Sequence, residues 1–434
     1  MKKKLLLLIL ILCIALGGVG YAYYITRDNM SNKELFIYYL TKKEETDEHL
    51  EKIKQYSIKK MESSYKTKGK VELNISGEED DESIQMLNNS KVTFEGKINP
   101  TEKMIEQEIT AVLGMGINVP FNYKQDKDYF GVQTNLLTPK YIAIRNDNLK
   151  ELAEKFGIES EEIPDKINFE NNNIDYEKIN DFAEKYKKLI YENLPDEKAF
   201  TKSKDGNQTI LSVSMTNKEI STSFKTILEE LKNDEFIINT LKSSNVNINE
   251  YYDSINSLIE DFNDLETENG KAEIKLYIEN KKAVRLDILI YDENDIVAKV
   301  VTEIKDNNLN LKMNFADEAS LEFNYEIIYD EKDVSMNIDI KISDDETNYK
   351  IKGNVEYKNI FELNNVEENY SVELSGKMDE IEQIGINYSN LVTFDDNIEI
   401  DKISEKNSYI INDMTDEELQ SFIMVIYQKF LTIK

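Results

Sequence analysis

The side chains that most often perform catalysis or bind transition metals are nearly absent from this sequence. Its 434 residues include one histidine, His49, and one cysteine, Cys13. A Ser-His-Asp triad needs a well-placed histidine, and protein zinc sites combine several histidine or cysteine ligands. His49 stands beside Glu48 in a polar stretch and is expected to be solvated. We therefore expect neither a triad nor a multi-histidine metal site.

Carboxylates are the remaining chemically capable groups, and they are too numerous to single out a site. The 84 acidic residues provide many pairs for two-carboxylate hydrolysis, but no spacing distinguishes one pair. The acidic turns Glu78–Glu82 and Asp344–Glu346 lack the spacing and glycine of an EF-hand loop, and we interpret them as turns at a sheet edge. There is no glycine-rich phosphate loop. The sequence designates no catalytic, cofactor-binding or metal-binding residue, and we expect a protein that is not an enzyme and has no cofactor.

The charge balance limits the partners of the chain. The net charge is −31 at pH 7 and the sequence pI is about 4.6. An electric field of this sign disfavours binding to nucleic acids and to anionic lipid surfaces, so we expect no nucleic-acid partner. The acidic surface could also attract Ca²⁺ or cationic partners loosely. The simpler interpretation is a solvated surface outside a cell.

An apolar run at the N-terminus predicts where the protein resides. Lys2, Lys3 and Lys4 precede an almost unbroken apolar stretch from Leu5 to Ile25. A helix of this length matches the hydrocarbon thickness of a bilayer, about 30 Å. Because the positive charges precede the run, the N-terminus is expected in the cytoplasm and the remainder outside. Residues 1–27 are therefore predicted to be a single-pass transmembrane anchor in the cell membrane.

A cleaved signal peptide is the competing interpretation of this run. Gly18 with Gly20, or Gly20 with Ala22, would supply the small residues before a cleavage site. The run continues through three tyrosines to Ile25, however, which favours an anchor with its aromatic residues at the outer interface. Lipid attachment is disfavoured because Cys13 follows Leu12 and not a small residue. With Cys13 in the anchor, the remainder of the chain has no cysteine and no disulfide.

The following segment, residues 28–66, is predicted to contain a juxtamembrane helix. From Glu34 to Ser64 there is no proline or glycine, and apolar residues recur at roughly helical spacing. This helix would be either a stalk or the first packed element of the fold. We assign the remainder, residues 67–434, to one large extracytoplasmic domain, with a division into 67–220 and 221–434 as the alternative.

Alternation of apolar and polar residues then predicts strands, and apolar residues that recur every three or four positions predict helices. Early strands are expected near Thr67–Ile75 and Val92–Gly96, with four more at 104–112, 118–124, 129–133 and 141–145. Helices are expected at 149–156 with Asn148 as the cap, at 176–194, 221–231, 234–243 and 249–265, and after the capping box of Thr415 and Glu418. Asp205-Gly206 predicts a two-residue hairpin turn.

The strongest pattern lies between Lys271 and Met378. Seven or eight strands alternate strictly there and are separated by short polar turns, so neighbouring strands must pair antiparallel with one buried face. Such a sheet twists, and its apolar face needs a cover that only the helices can provide. The predicted fold class is α+β, with a large curved antiparallel meander, helices on its concave face and one N-terminal transmembrane helix.

Parts of this pattern resemble a known fold. Lys68–Leu73 and Val92–Ile98, with Tyr141–Arg145 leading into Asn148–Leu152, are similar to the strands and helices of envelope lipoprotein carriers of the LolA and LppX type. The whole chain resembles membrane-anchored extracytoplasmic proteins of Clostridia, and its composition is typical of AT-rich Gram-positive bacteria. The carrier resemblance implies a curved sheet with helices in its concavity that binds an apolar envelope molecule.

Two hypotheses for the function remain at this point. The first is a membrane-anchored binding protein for a lipid or another apolar envelope molecule. The second is a non-enzymatic structural or protein-interaction component of the envelope, with an envelope protein as its partner. A carboxylate-based hydrolase would require a cleft with two facing carboxylates, which the sequence does not indicate.

Overall fold

The fold is α+β and is dominated by antiparallel strands. In a computed structural model, the described part of the chain forms eight α-helices and 18 strands that belong to one sheet. The described residues are 30–41, 48–77, 84, 87–113, 116–158, 163–167, 176–243, 247–266, 269–305, 307–315, 319–344, 348–378 and 381–432. The predicted class and the large, mostly antiparallel sheet are thereby confirmed.

Several sequence predictions fall outside these residues. They are the transmembrane anchor at 1–27, the acidic turn at 78–82 and most of the turn at 344–346. Within the ranges given above, none of the helices combines the length and the apolar character needed to cross a bilayer.

The elements follow in this order along the chain. The helices are α1 Asn32–Thr41, α2 Glu48–Glu62, α3 Leu149–Lys155, α4 Tyr176–Asn193, α5 Asn217–Lys232, α6 Glu235–Ser243, α7 Ile248–Glu266 and α8 Asp416–Thr432. The first nine strands are β1 Tyr65–Gly77, β2 Ser90–Asn99, β3 Met104–Val112, β4 Asn118–Gln125, β5 Tyr129–Gln133, β6 Tyr141–Arg145, β7 Phe200–Asp205, β8 Gln208–Thr216 and β9 Gly270–Glu279. The other nine are β10 Lys282–Asp292, β11 Asp295–Lys305, β12 Asn308–Phe315, β13 Ala319–Asp330, β14 Asp333–Asp344, β15 Asn348–Lys358, β16 Asn365–Met378, β17 Ile381–Phe394 and β18 Ser408–Ile410.

The chain divides into two compact units that interleave in sequence. Unit 1 takes its described residues from Met1–Thr46, Asn172–Glu326 and Ile338–Tyr349, and unit 2 from Asp47–Asn171, Ile327–Asn337 and Lys350–Lys434. The alternative division, between residues 220 and 221, would fall inside α5 of unit 1. The predicted continuous helix over Glu34–Ser64 is two helices in the structure, α1 in unit 1 and α2 in unit 2.

Unit 1 packs helices on an antiparallel sheet. Its strands pair in the order β7, β8, β9, β10, β11, β12 and β13. Strand residues such as Val213 and Ile288 form one continuous buried cluster with Phe36 of α1, Leu228 of α5 and Phe262 of α7. The alternation predicted for β9–β12 therefore points one set of side chains at the helices, as expected for a half-buried sheet.

Two local signals of unit 1 differ from the sequence predictions. The hairpin turn between β7 and β8 consists of Gly206 and Asn207 and not of Asp205 and Gly206, because Asp205 pairs with Gln208. Gly206 has φ +55°, which a glycine adopts without strain. Helix α5 starts four residues earlier than predicted, after a capping box between Thr216 and Glu219 that the sequence analysis missed.

Asp234 fixes the start of helix α6 in unit 1. Its carboxylate accepts hydrogen bonds from the backbone N–H of Phe236, at 3.0 Å, and from Lys185 Nζ, at 2.8 Å. The Tyr186 hydroxyl donates a further hydrogen bond at 3.0 Å. Burial raises the pKa of Asp234, but the hydrogen bonds from Lys185 and Tyr186 outweigh burial and leave the pKa below its usual range.

We expect the substitution Asp234→Asn to make the free energy of unfolding of unit 1 less dependent on pH in the acidic range. A lowered carboxyl pKa contributes stability above the unfolded-state value, near 3.9, and this contribution disappears as the pH falls through the folded-state pKa. The variant should be less stable than the wild type by about 1–2 kcal/mol at neutral pH, and the difference should shrink below about pH 4. Urea unfolding at neutral pH and below about pH 4 measures this difference in stability. As a control, the substitution Asp181→Asn at an exposed position should change the free energy of unfolding by less than about 0.5 kcal/mol. A difference that stays constant with pH for Asp234→Asn would contradict the prediction.

Unit 2 contains a second run of paired strands. The pairing order is β15, β16, β17, β1, β2, β3, β4, β5, β6 and β18, and all pairs are antiparallel except β6 with β18. Strands β3, β5 and β6 have the predicted bounds. Strands β17 and β18 were not predicted.

The helices of unit 2 lie at different places on this sheet. Tyr56 of α2 is 1 % exposed and packs with Val366 of β16 and Val392 of β17. The last helix, α8, packs through Leu419 and Phe422 near β6. The helix α2 is therefore a packed element of the fold, which decides between the two expectations for this segment.

Local predictions in unit 2 are confirmed for α8 and corrected at two other positions. Thr415 and Glu418 form the predicted capping box, with the Thr415 hydroxyl and the Glu418 backbone N–H both engaged. Asn148 precedes α3 but has φ +50° and makes no side-chain capping hydrogen bond. His49 is half-buried and not solvated, because its ring stacks on Tyr329 and meets Phe361 edge-on.

Candidate functional site

The most unusual surface of unit 2 is one face of its sheet. Strand register places Val71 opposite both Tyr388 and Val92, and it places Ile386 opposite both Leu73 and Val372. Directly paired residues share a face of the sheet. We define the open apolar face as this set of side chains on β15, β16, β17, β1 and β2: Val71, Leu73, Val92, Val355, Tyr370, Val372, Ile386 and Tyr388.

Large aliphatic side chains on this face remain accessible. Val372 is 51 % exposed, Ile386 46 % and Val92 36 %. The other members are half-buried, and no charged residue belongs to the set. In a chain with 32 % charged residues, this face is a contiguous apolar area on neighbouring strands. Contiguous exposed apolar patches commonly mark binding sites.

The opposite face of the same strands is charged. Lys68 and Lys70 of β1 alternate with the apolar positions, and they form ion pairs with Glu95, at 2.7 Å, and with Glu72, at 2.9 Å. This arrangement matches a sheet with one face in water and one face toward apolar material. The open apolar face therefore follows the same alternation that buries Val366 and Val392 on these strands, but the described residues cover it only in part.

One end of the face is closed by helix α2 and by a buried polar cluster. Glu368 of β16 is 2 % exposed and lies opposite Asn390 of β17. Its carboxylate accepts hydrogen bonds from the Tyr56 hydroxyl at 2.8 Å and from Lys60 Nζ at 2.6 and 2.8 Å. Asn390 Nδ2 donates at 3.2 Å, and the Thr67 hydroxyl donates to Asn390 Oδ1. We name these five residues the Glu368 cluster.

The Glu368 cluster satisfies its own buried groups. A buried carboxylate is tolerated only when a counter-charge and hydrogen-bond donors compensate for lost water, and Lys60, Tyr56 and Asn390 supply these. Burial first, and then the Glu368 charge, raise the pKa values of Tyr56 and Tyr65, and they raise that of Tyr388 to about 12. These tyrosines stay protonated at neutral pH and act as neutral hydrogen-bonding groups.

A row of aromatic rings forms the edge of the open apolar face that adjoins the Glu368 cluster. Phe94 stacks with Tyr388 at 6.0 Å between ring centroids, and Tyr388 stacks with Tyr370 at 5.3 Å. The Phe94 ring also lies over Gly69, where an added Cβ would be 2.6 Å from the ring and 2.3 Å from the Ser389 carbonyl oxygen. Glycine at this position therefore lets the ring lie flat on the sheet.

A second apolar feature lies beside helix α8. A cavity of about 400 Å³ is lined by Ile142 of β6 and by four residues of α8, which are Phe422, Ile423, Ile426 and Tyr427. The sequence of α8 predicts an apolar stripe that packs on the sheet, formed by Leu419, Phe422, Ile423, Ile426 and Phe430. This stripe is only partly packed: Leu419 is buried, whereas Ile423 is 46 % exposed. The side chain of Phe430, also in the predicted stripe, lies outside the described residues.

The structure adds residues that the sequence analysis did not designate. Glu368 stands in the alternating series Val366, Tyr370, Val372 and Leu374 at a position where its neighbours are apolar, and this interruption was the available signal. Among the residues with described coordinates, no group of three or more His, Cys, Asp or Glu side chains is arranged to hold a metal ion.

The sequence matches no model of a known protein family, and a search of curated proteins finds no match.

Proposed function

We propose that the protein is a membrane-anchored extracytoplasmic binding protein that holds a lipid or another apolar envelope molecule on the open apolar face of unit 2. The observation that carries this proposal is the accessibility of Val92, Val372 and Ile386 on adjoining strands of a chain rich in charge. The N-terminal run Leu5–Ile25, preceded by three lysines, supports the anchor and the extracytoplasmic location.

The form of the face favours an apolar ligand over an added peptide strand. Strands β16, β17, β1 and β2 are each paired on both sides, so their backbone N–H and C=O groups are already used within the sheet. A peptide that binds by strand addition needs a free sheet edge. The five strands of the face span about 19 Å, because neighbouring strands are about 4.8 Å apart. This width suits a lipid acyl chain lying across the strands.

In this proposal the open apolar face is the concave side of a curved sheet that helices cover only in part. The Glu368 cluster closes one end, and its donors and acceptors are mutually satisfied. We therefore assign it to holding the sheet and α2 together, and the proposed role is binding without catalysis.

Single tryptophans test the proposal directly, because the sequence contains no tryptophan. We expect Val372→Trp fluorescence in the full-length protein in nanodiscs to be quenched severalfold more by added brominated fatty acid than Leu391→Trp fluorescence. Leu391 is the matched control, since it is 43 % exposed and lies on the opposite face of the same sheet. Equal quenching of the two variants, or none in either, would overturn the proposal.

The second hypothesis, a protein-interaction component of the envelope, predicts a different occupant of the same face. A photocrosslinking residue at Ile386, activated in cells, should yield a lipid-sized mass addition if the binding proposal is right. Adducts with protein alone, together with an unquenched Val372→Trp, would replace the lipid proposal with the interaction hypothesis.

A further inference from the structure

We propose that the second half of helix α8 inserts into the surface of a lipid bilayer, as a membrane contact separate from the N-terminal run and from the open apolar face. Its large apolar side chains are among the most exposed in the described residues. Met424 is 63 % exposed, Tyr427 61 %, Val425 51 % and Ile423 46 %.

The distribution of these side chains around the helix selects a bilayer over a partner helix. Phe422–Tyr427 is a run of six apolar residues, and at about 100° per residue it points apolar groups in all directions. Leu419 and Phe422 pack near β6, which covers one side. A partner helix would cover one further stripe, whereas a helix that is apolar all round is normally surrounded by apolar material. Lipid can cover all the exposed sides of the helix at the same time.

Charge is separated along the axis of α8. Asp416, Glu417 and Glu418 occupy the first turn, and no acidic residue follows them in the chain. From Glu418 to Val425 the helix advances about 10 Å. In this proposal α8 enters the interface obliquely, with its second half leading. Apolar groups buried about 5–10 Å deep would then belong to that half, and the acidic first turn would stay in water. A second copy of this strongly acidic chain is a less suitable occupant, because its net charge of −31 opposes close association.

The surroundings of α8 extend the same apolar surface. The 400 Å³ cavity beside the helix is lined only by apolar and aromatic residues, with Ile142 on the sheet side. Lys429 Nζ donates a hydrogen bond to the Leu137 carbonyl at 2.8 Å, which ties the end of α8 to the loop that carries Leu136, itself 44 % exposed. Tyrosine and lysine, here Tyr427 and Lys429, are residue types that favour the interface between lipid and water.

Depth-dependent quenching tests this contact. We expect Val425→Trp in the full-length protein, reconstituted in phosphatidylcholine vesicles, to be quenched severalfold more strongly by brominated phosphatidylcholine than Leu391→Trp. Both positions are exposed in unit 2, so neither substitution should disturb folding. Equal quenching of the two tryptophans would overturn the proposal.

A second measurement separates a bilayer from a second copy. The variant Met424→Cys with Cys13→Ser has a single thiol on the exposed side of α8, and we expect it to form no disulfide-linked dimer in the same vesicles. Efficient crosslinking with an unquenched Val425→Trp would overturn the membrane contact in favour of self-association. Because the fatty-acid test uses Val372 and a different probe, the two proposals fail independently.

Discussion

Replacing Glu368 with alanine is expected to destabilise unit 2 by about 3 kcal/mol. The change removes the acceptor of three donors at once: the Tyr56 hydroxyl, Lys60 Nζ and Asn390 Nδ2. Tyr56 and Asn390 are 1 % and 4 % exposed, so water cannot replace the lost oxygen atoms without opening the core. Lys60 retains a side-chain exposure of 29 % and can turn toward water, which keeps the loss below that of a fully buried pair.

The measurement is urea unfolding combined with hydrogen exchange on peptides from β16 and β17. The matched control is Glu95→Ala, which removes an ion pair whose partners are 71 % and 66 % exposed and should cost about 0–1 kcal/mol. The double variant Glu368→Leu with Lys60→Met should be more stable than Glu368→Ala, because it removes the lysine charge along with the carboxylate. If Glu368→Ala were as mild as Glu95→Ala, the cluster would not hold α2 on the sheet.

Replacing Phe262 with alanine is expected to destabilise unit 1 by about 3–5 kcal/mol. Phe262 of α7 is 3 % exposed, and its ring stacks on Phe224 of α5 at 5.2 Å between centroids. Its carbonyl oxygen also accepts a hydrogen bond from the Ser221 hydroxyl at 2.7 Å, so the two helices are joined closely at this point. The truncation leaves a cavity between them that the fixed backbones cannot close.

Thermal and urea unfolding measure this effect. Asn256→Ala, at an exposed position on the same helix, should change the free energy of unfolding by less than about 0.5 kcal/mol. Hydrogen exchange should localise the Phe262→Ala effect to α5, α7 and the strands beneath them. A loss as small as that of Asn256→Ala would mean that α5 and α7 do not share a core.

Local patterns predicted the elements whose side chains alternate without interruption. The strands between Lys271 and Met378 appear as expected because apolar and polar side chains alternate along them. Strand β17 escaped prediction because Asn390 interrupts the apolar series of Ile384, Ile386, Tyr388 and Val392. Asn390 points inward and is compensated by Glu368, a residue on another strand. A buried polar pair of this kind looks like two unrelated polar residues in the sequence.

Features that depend on distant parts of the chain were the least predictable. The sequence indicated one helix over Glu34–Ser64, whereas α1 belongs to unit 1 and α2 to unit 2. The open apolar face required knowledge of which strands adjoin β1, and its partner β17 lies more than 300 residues away. Periodicity identifies the apolar side of a strand, but it does not reveal whether another element covers that side.

The pairing of β1 with β17 has a consequence for the order in which the chain folds. Residues 65–77 pair with residues 381–394, so β1 cannot gain this neighbour until almost the whole chain has been synthesised. The segment 172–326, which forms most of unit 1, is complete long before then and is able to fold first. Until β1 pairs with β17, which closes a very long loop, strands β1–β6 keep apolar side chains uncovered. Chains that end prematurely, before residue 381, should therefore aggregate through these early strands even when unit 1 is already folded.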